Sequence, residues 1–128
     1  ISVNTALQVD ILGQVCSQSI GHRHFSGTGG QLDTHRGAQL SEGGRGIIAL
    51  RSTAKDGKIS TIVPCLTPGA EVTVPSQCVD TIVTEFGVAE LRGRSLQERA
   101  RALIAVSHPD FRESLSEEVQ KLGIVPRL

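Results

Sequence analysis

The residues best suited to chemistry lie in Phe25-Ser-Gly-Thr-Gly-Gly-Gln-Leu-Asp-Thr-His-Arg-Gly-Ala38, where four of the fourteen positions are glycine. Glycine has no Cβ to hold a ligand away and adopts positive φ freely, so consecutive amides can converge on an anion or a developing oxyanion. The residues that follow, Gln31 to Leu40, carry Leu32, Ala38 and Leu40 on a loosely helical pattern, and a helix N-terminus favours negative charge. A glycine cluster is equally the way a tight loop is built. On the motif alone both readings stand.

The other chemistry-bearing side chains are weaker candidates. His22-Arg-His24 brings two imidazoles close together, but no carboxylate or thiol stands at a supporting spacing, so loop histidines are expected and a metal is not. His35 falls inside the glycine-rich element, and His108 precedes Pro109 at a helix junction. Ser26, Ser52 and Ser107 lack a G-x-S-x-G context, which leaves a serine nucleophile without support. Glu85, in Val83-Thr-Glu-Phe-Gly87, ends the best strand; it is a nucleophile or base, or it accepts hydrogen bonds from nearby amides and holds the turn, the structural role being favoured. Arg92 and Arg94 either grip a phosphate near the helix that starts at Ser95 or lie on a solvated face. Lys55 reads as a solvated hairpin lysine unless its loop borders a ligand.

These residues need elements to position them. Ile1, Val3, Leu7, Val9 and Ile11 alternate with polar neighbours as one half-buried strand, turning over Asp10 to Gly13 into a second run, Gln14 to Ile20. Glu42-Gly-Gly-Arg-Gly46 ends the helix that begins after the glycine loop. Ile47 to Leu50 and Ile59 to Val63 flank Asp56-Gly57 and are expected to pair antiparallel, with Pro64 closing the second strand. Glu71 to Val74 and Val79 to Thr84 complete a sheet of about six strands. Ser95-Leu-Gln-Glu98 is a capping box for a helix with Leu96, Ala100, Leu103 and Ile104 on one face. Asp110 with Glu113 repeats the device for a last helix bearing Phe111, Leu115, Val119 and Leu122. The expectation is one α/β domain, a mixed and largely antiparallel sheet with helices packed on it.

Bulk properties narrow the function. The 128 residues suffice for one domain with a core, and three Phe with no Trp or Tyr make that core aliphatic. Thirteen basic and thirteen acidic side chains cancel, and no basic run interleaves with aromatics, which argues against nucleic acid or a membrane surface as partner. Cys16, Cys65 and Cys78 are odd in number and widely spaced, as for buried thiols in a reducing, cytoplasmic compartment. No apolar run reaches the length of a membrane span, so a soluble domain is expected. The strand-like opening at Ile1 and the absence of Met point to a piece of a longer polypeptide.

Several segments together resemble the C-terminal domain of the acetyl-CoA hydrolase/transferase family, which includes 4-hydroxybutyrate, butyryl and succinyl CoA-transferases. They run in family order: Val3-Asn-Thr-Ala-Leu-Gln-Val-Asp10 with Gly13-Gln-Val15, then Ser26-Gly-Thr-Gly-Gly-Gln31 with Asp33, Arg36 and Gly37. Ser52-Thr-Ala-Lys-Asp-Gly57, Ile62-Val-Pro64, Val83-Thr-Glu-Phe-Gly-Val-Ala89 with Leu91-Arg-Gly93, and His108-Pro-Asp-Phe111 follow. They span nearly the whole chain.

The resemblance implies a CoA-transferase-type α/β fold and a ping-pong transfer of CoA between an acyl-CoA and a small carboxylate. An enzyme glutamate on the preceding domain, absent from this chain, attacks the acyl-CoA and later carries CoA as a thioester. On this basis Gly29 and Gly30 are the backbone oxyanion donors, Gly27 and Gln31 shape the CoA channel, and Lys55 becomes a neighbour of CoA. Coenzyme A enters as substrate and no metal is implied. Glu85 does not inherit the nucleophile's role, and a homodimer is suggested. An acyl-CoA hydrolase on the same scaffold and a non-catalytic CoA-binding or assembly domain are the competing readings. Departures from the family pattern fall at Thr34, where an aromatic is common, at Arg51, where a proline is frequent, and at Pro75-Ser-Gln-Cys78; they leave the acyl specificity open.

Overall fold

The computed structural model describes residues 1–128 and resolves the chain into eleven short strands and three helices. The opening alternation does not form one strand. β1 (Ser2–Asn4) and β2 (Gln8–Asp10) belong to different sheets. The chain leaves the first sheet at Thr5, whose carbonyl accepts from the Ser17 hydroxyl at 3.1 Å and from Gln31 Nε2 at 3.1 Å. Two side-chain donors thus replace a ladder partner there. The Asp10–Gly13 turn forms as expected: Asp10 Oδ1 accepts from the N–H groups of Leu12 and Gln14, and Gly13 takes φ +92°. Beyond it the second run splits into β3 (Val15–Cys16), antiparallel to β2, and β4 (Ser19–Ile20), which pairs with β5 (Arg23–His24).

The helix after the glycine loop, α1 (Gln31–Leu40), keeps its expected bounds. It stops at Ser41, and Gly44 lies so close to its last turn that a Cβ there would stand 1.8 Å from the Ala38 carbonyl oxygen. Next comes β6 (Gly46–Ala49), which does not pair with the Ile59 segment. The Asp56-Gly57 hairpin exists, but its arms are β7 (Thr53–Ala54) and β8 (Ile59–Ser60), while β9 (Ile62–Val63) runs parallel to β2. Glu71 to Val74 contributes only a single bridge, Val74 to Val15. A 3-10 turn at Ser76–Cys78 leads into β10 (Thr81–Thr84), and a strand not anticipated, β11 (Gly87–Glu90), folds back on it antiparallel.

The main sheet has the order β1-β6-β10-β11. Its first three strands are parallel, with Ser2 opposite Gly46 and Thr81 opposite Ile47, so the centre of the sheet is parallel rather than antiparallel. The helical crossover α1 between β1 and β6 is what a parallel pair requires. α1 packs on β1 and β6, and α2 (Leu96–Val106) packs on β10 and β11.

The Ser95 capping box is complete, with Ser95 Oγ accepting from Glu98 N–H and the Glu98 carboxylate accepting from Ser95 N–H. The buried face of α2 is Arg99, Ala100, Leu103 and Val106, whereas Leu96, the first residue of the helix, is 54% exposed. The last helix, α3 (Pro109–Lys121), is capped by His108, whose Nδ1 accepts from Asp110 N–H at 3.2 Å, and not by Asp110. Pro109 fits the first helical position because its missing N–H has no partner to lose there. Leu115 and Val119 are buried, whereas Leu122 is exposed.

The core joins both larger sheets, α2 and α3 through 17 buried hydrophobic side chains, none aromatic, including Val9, Ile48, Ile62, Ile82, Leu103 and Val119. Each such Leu or Ile contributes about 1.5–3 kcal/mol relative to an exposed one. Cys16 is buried and free, Cys78 is partly buried, and Cys65 is exposed, contrary to the expectation of three buried thiols.

Candidate functional site

In an open parallel sheet, the loops at the carboxyl ends of the strands meet in one crevice. Here Thr5 follows β1, Leu50 and Arg51 follow β6, and Glu85 follows β10. Together with Ala49, Val83 and Thr84 they line an open cleft of about 480 Å³. Neither Thr5 nor Arg51 carries a catalytic motif; Thr5 falls in the Val3–Asp10 family segment and Arg51 directly follows the apolar run Ile47–Leu50, and their meeting here becomes apparent only once β1 and β6 are known to be parallel.

Glu85 anchors the floor of this cleft. Its Oε1 accepts from the Ser52 hydroxyl at 2.7 Å and its Oε2 from the Ser52 N–H at 2.9 Å. Burial pushes the Glu85 carboxyl up, but these bonds, one from its own N–H and the charge of Arg51 outweigh that effect and hold it below the usual range. The carboxylate stays ionised and holds the base of the β7–β8 hairpin to the end of β10. At the tip, Lys55 and Asp56 take φ 51° and 55° ahead of Gly57 at 82°. Two successive non-glycine residues in the left-handed region store backbone strain. Lys55 is exposed and forms no ion pair.

The glycine loop enters the α1 N-terminus beside the cleft. Gly27, Thr28, Gly29 and Gly30 are exposed, and their backbone N–H groups donate to no other group of the domain. Gly30 is the N-cap of α1 and supplies no side-chain cap, so the first-turn amides of α1 also lack one. A Cβ at Gly27, Gly29 or Gly30 would meet nothing within 4 Å. Only Gly29, at φ +60°, needs glycine for its backbone; packing within the domain demands glycine at none of the three. The opposite holds for Gly46, where a Cβ would stand 2.7 Å from the His35 ring. Gln31 Nε2 spends its hydrogen bond on Thr5, tying the start of α1 to the rim of the cleft. Thr34, in the first turn of α1, accepts from Asn4 Nδ2 at 3.3 Å.

The remaining candidates separate from this site. His35 is fully buried, with Nε2 accepting from Asp80 N–H at 3.1 Å; burial pulls its pKa down against the opposing charge of Asp80. It wedges α1 against β6. The His22 ring lies against Gly69, and His24 Nε2 faces Glu71 Oε1 at 3.8 Å. Ser26 and Ser107 donate to the main-chain carbonyls of Gly27 and Ile104. Arg94 sits 3.8 Å from Glu98 one helical turn on, in a separate groove with Val88, Glu90 and Arg101, which supports its solvated-face reading. No helix is long and apolar enough to cross a membrane.

A sheet with three parallel strands and a glycine-rich turn leading into a helix beside its carboxyl edge makes this an α/β domain with exposed, unpaired backbone donors at one rim of the cleft. The chain belongs to the family of the acetyl-CoA hydrolase/transferase C-terminal domain, whose model matches residues 1–119. It is 56% identical over 121 residues to the 4-hydroxybutyrate coenzyme A transferase of Clostridium kluyveri, covering 94% of this chain and 28% of that protein. To the succinyl-CoA:cyclohexane-1-carboxylate CoA transferase of Geobacter metallireducens it is 54% identical over 123 residues, covering 96% and 28%. Its fold is similar to that of RipA from Yersinia pestis, with a TM-score of 0.89 and 43% identity over 97% of this chain and 28% of that one. The chain thus spans little more than a quarter of the length of the relatives it matches.

Proposed function

We propose that this domain serves a CoA-transferase that moves CoA from an acyl-CoA to a small carboxylate, with the nucleophilic glutamate supplied by a preceding domain. The observation that carries this reading is the run of unpaired, exposed N–H groups from Gly27 to Gly30 at the start of α1. Attack of a carboxylate on the thioester expels CoA thiolate and leaves an acyl-glutamyl anhydride. The thiolate then attacks the glutamyl carbonyl, releasing the carboxylic acid's anion and forming glutamyl-CoA, and the acceptor carboxylate reverses the two steps. Each attack drives negative charge onto a carbonyl oxygen. Fixed amides that stabilise it contribute about 3–4 kcal/mol each.

Gly29 and Gly30 supply those donors, Gly27 and Gln31 shape the channel for coenzyme A, and Lys55 borders it. The enzyme works as a homodimer in the cytoplasm. The test is isotope exchange between labelled acetate and acetyl-CoA catalysed by the full-length enzyme. Rapid exchange with little net hydrolysis is expected; hydrolysis without exchange would place the domain in an acyl-CoA hydrolase. Gly30→Val should abolish exchange, and an unchanged rate removes the oxyanion role.

A further inference from the structure

Gln18 lies outside the glycine motif, yet it is the residue from which that motif hangs. It is 4% exposed. Its main-chain carbonyl accepts from the N–H groups of Phe25 at 2.7 Å and Ser26 at 3.2 Å, the two residues that lead into the loop. Its side chain then reaches the loop itself: Nε2 donates to Thr28 Oγ1 at 3.3 Å and to Glu71 Oε2. A carboxylate only accepts, so the amide nitrogen must face Glu71, and Oε1 is left to accept from the Thr73 hydroxyl at 2.9 Å. Thr73 Oγ1 accepts in turn from Ser17 N–H at 2.9 Å. Both polar atoms of the buried side chain are therefore used, and its rotamer is locked.

Thr28 stands between Gly27 and Gly29, residues with no side chain to hold them. The bond from Gln18 is the one side-chain hydrogen bond that reaches residues 27–30 from another segment of the domain. Glu71 takes one of the two N–H groups of the buried amide, and Thr28 takes the other. The bond to Thr28 points outward, to an exposed loop whose amides are free.

We propose that Gln18 is the positioning residue of the glycine loop: holding Phe25, Ser26 and Thr28 from one buried point, it fixes the Gly29 and Gly30 amides where charge develops during CoA transfer. This rests on the reading of that loop as an oxyanion donor. Preorganised donors act because they need no reorganisation during the reaction, and a misplacement of about 1 Å costs on the order of a hundredfold in rate. Gln18 touches no reacting atom, so its loss falls on kcat more than on KM.

The test uses the full-length enzyme and exchange of labelled acetate with acetyl-CoA. Thr28→Val removes the acceptor on the exposed loop and leaves the buried network whole. Gln18→Glu keeps the acceptor for Thr73, removes the donor and sets a second carboxylate against Glu71, so Thr28→Val is the cleaner probe. Each should lower kcat roughly ten- to hundredfold with KM for acetyl-CoA within about twofold, and the double variant should be no worse than the poorer single one. Thr28→Ser, which restores the hydroxyl, should recover the rate. If Gln18→Glu does not fold, the Thr28→Val and Thr28→Ser pair decides alone. Full kcat in Thr28→Val, with exchange lost in Gly30→Val, overturns the role of Gln18 and leaves the loop reading intact. Full kcat in Gly30→Val as well removes the loop reading itself.

Discussion

Ser52 offers Glu85 both of its donors, the hydroxyl at 2.7 Å and the backbone N–H at 2.9 Å, so one fully buried residue occupies both oxygens of a carboxylate at the cleft floor. The pairing joins segments more than thirty positions apart and fastens the Thr53–Ser60 hairpin to the sheet.

Ser52→Ala removes the shorter of these bonds and is expected to destabilise the protein by about 1–2 kcal/mol. A carboxylate held below its ordinary pKa of 4.5 adds stability that is complete above that value and disappears as pH falls through the folded pKa. Stability of the wild type should therefore fall on acidification below about pH 4.5, and less steeply in Ser52→Ala. Chemical denaturation at a series of pH values measures both; parallel curves would contradict the pairing.

Asp10 behaves in the opposite sense. Burial raises its pKa against the hydrogen bonds from Gln14, Leu12 and Gly13. The folded state then holds the proton more tightly than the unfolded one, so stability falls as pH rises from 3.8 through the raised value and is level above it. Asp10→Asn should flatten that fall while Gln14 turns its amide to present oxygen. The same denaturation series reads it, and an unaltered slope would count against a raised Asp10.

The glycines divide into two kinds that melting temperature and activity should separate. Gly46→Ala drives a Cβ into the His35 ring and is expected to destabilise by about 1–3 kcal/mol. Gly27→Ala meets open space, so its stability should lie within roughly 0.5 kcal/mol of wild type while CoA exchange falls. A large loss of stability in Gly27→Ala would mean that position 27 itself packs against the domain rather than facing open space.

Arg99 is buried without a carboxylate, its guanidinium donating to the Leu12 and Ser76 carbonyls at 3.3 and 2.7 Å, and burial lowers its pKa. Arg99→Ala strands those carbonyls and opens space beneath the Gly13 turn. A loss of about 2–4 kcal/mol is expected in urea unfolding.

The helices were legible because their signals are local. Ser95 and Glu98 stand three apart and close on each other within one turn, and the Gln31–Leu40 helix is bracketed by glycines. The sheet was not. Ile47 to Leu50 reads as a hairpin arm because Asp56-Gly57 follows it, but a turn dipeptide fixes only its immediate neighbours, and the short Thr53–Ala54 arm satisfies it. Nothing near Ile48 in the chain tells it to lie between Asn4 and Ile82. The break at Thr5 was hidden for the same reason, since it depends on donors from Ser17 and Gln31. The glycine loop was legible as a motif, while Gln18, the middle of three successive polar residues in the Gln14–Ile20 run, gave no signal that its side chain would be buried and turned toward Thr28.

The strand order also governs how the molecule comes together. Ser2 waits for Gly46, and Ile47 for Thr81, so the middle of the sheet closes long stretches of chain before any pairing compensates the lost entropy. The Ser19–His24 ribbon beside the glycine loop closes over two intervening residues and pairs early by comparison. The turn that carries Glu85 is itself a local hairpin, β10 with β11, so what comes late is the docking of Thr5 and Arg51 beside it, and closure of the parallel strands rather than the loop is expected to limit how fast the cleft forms on refolding.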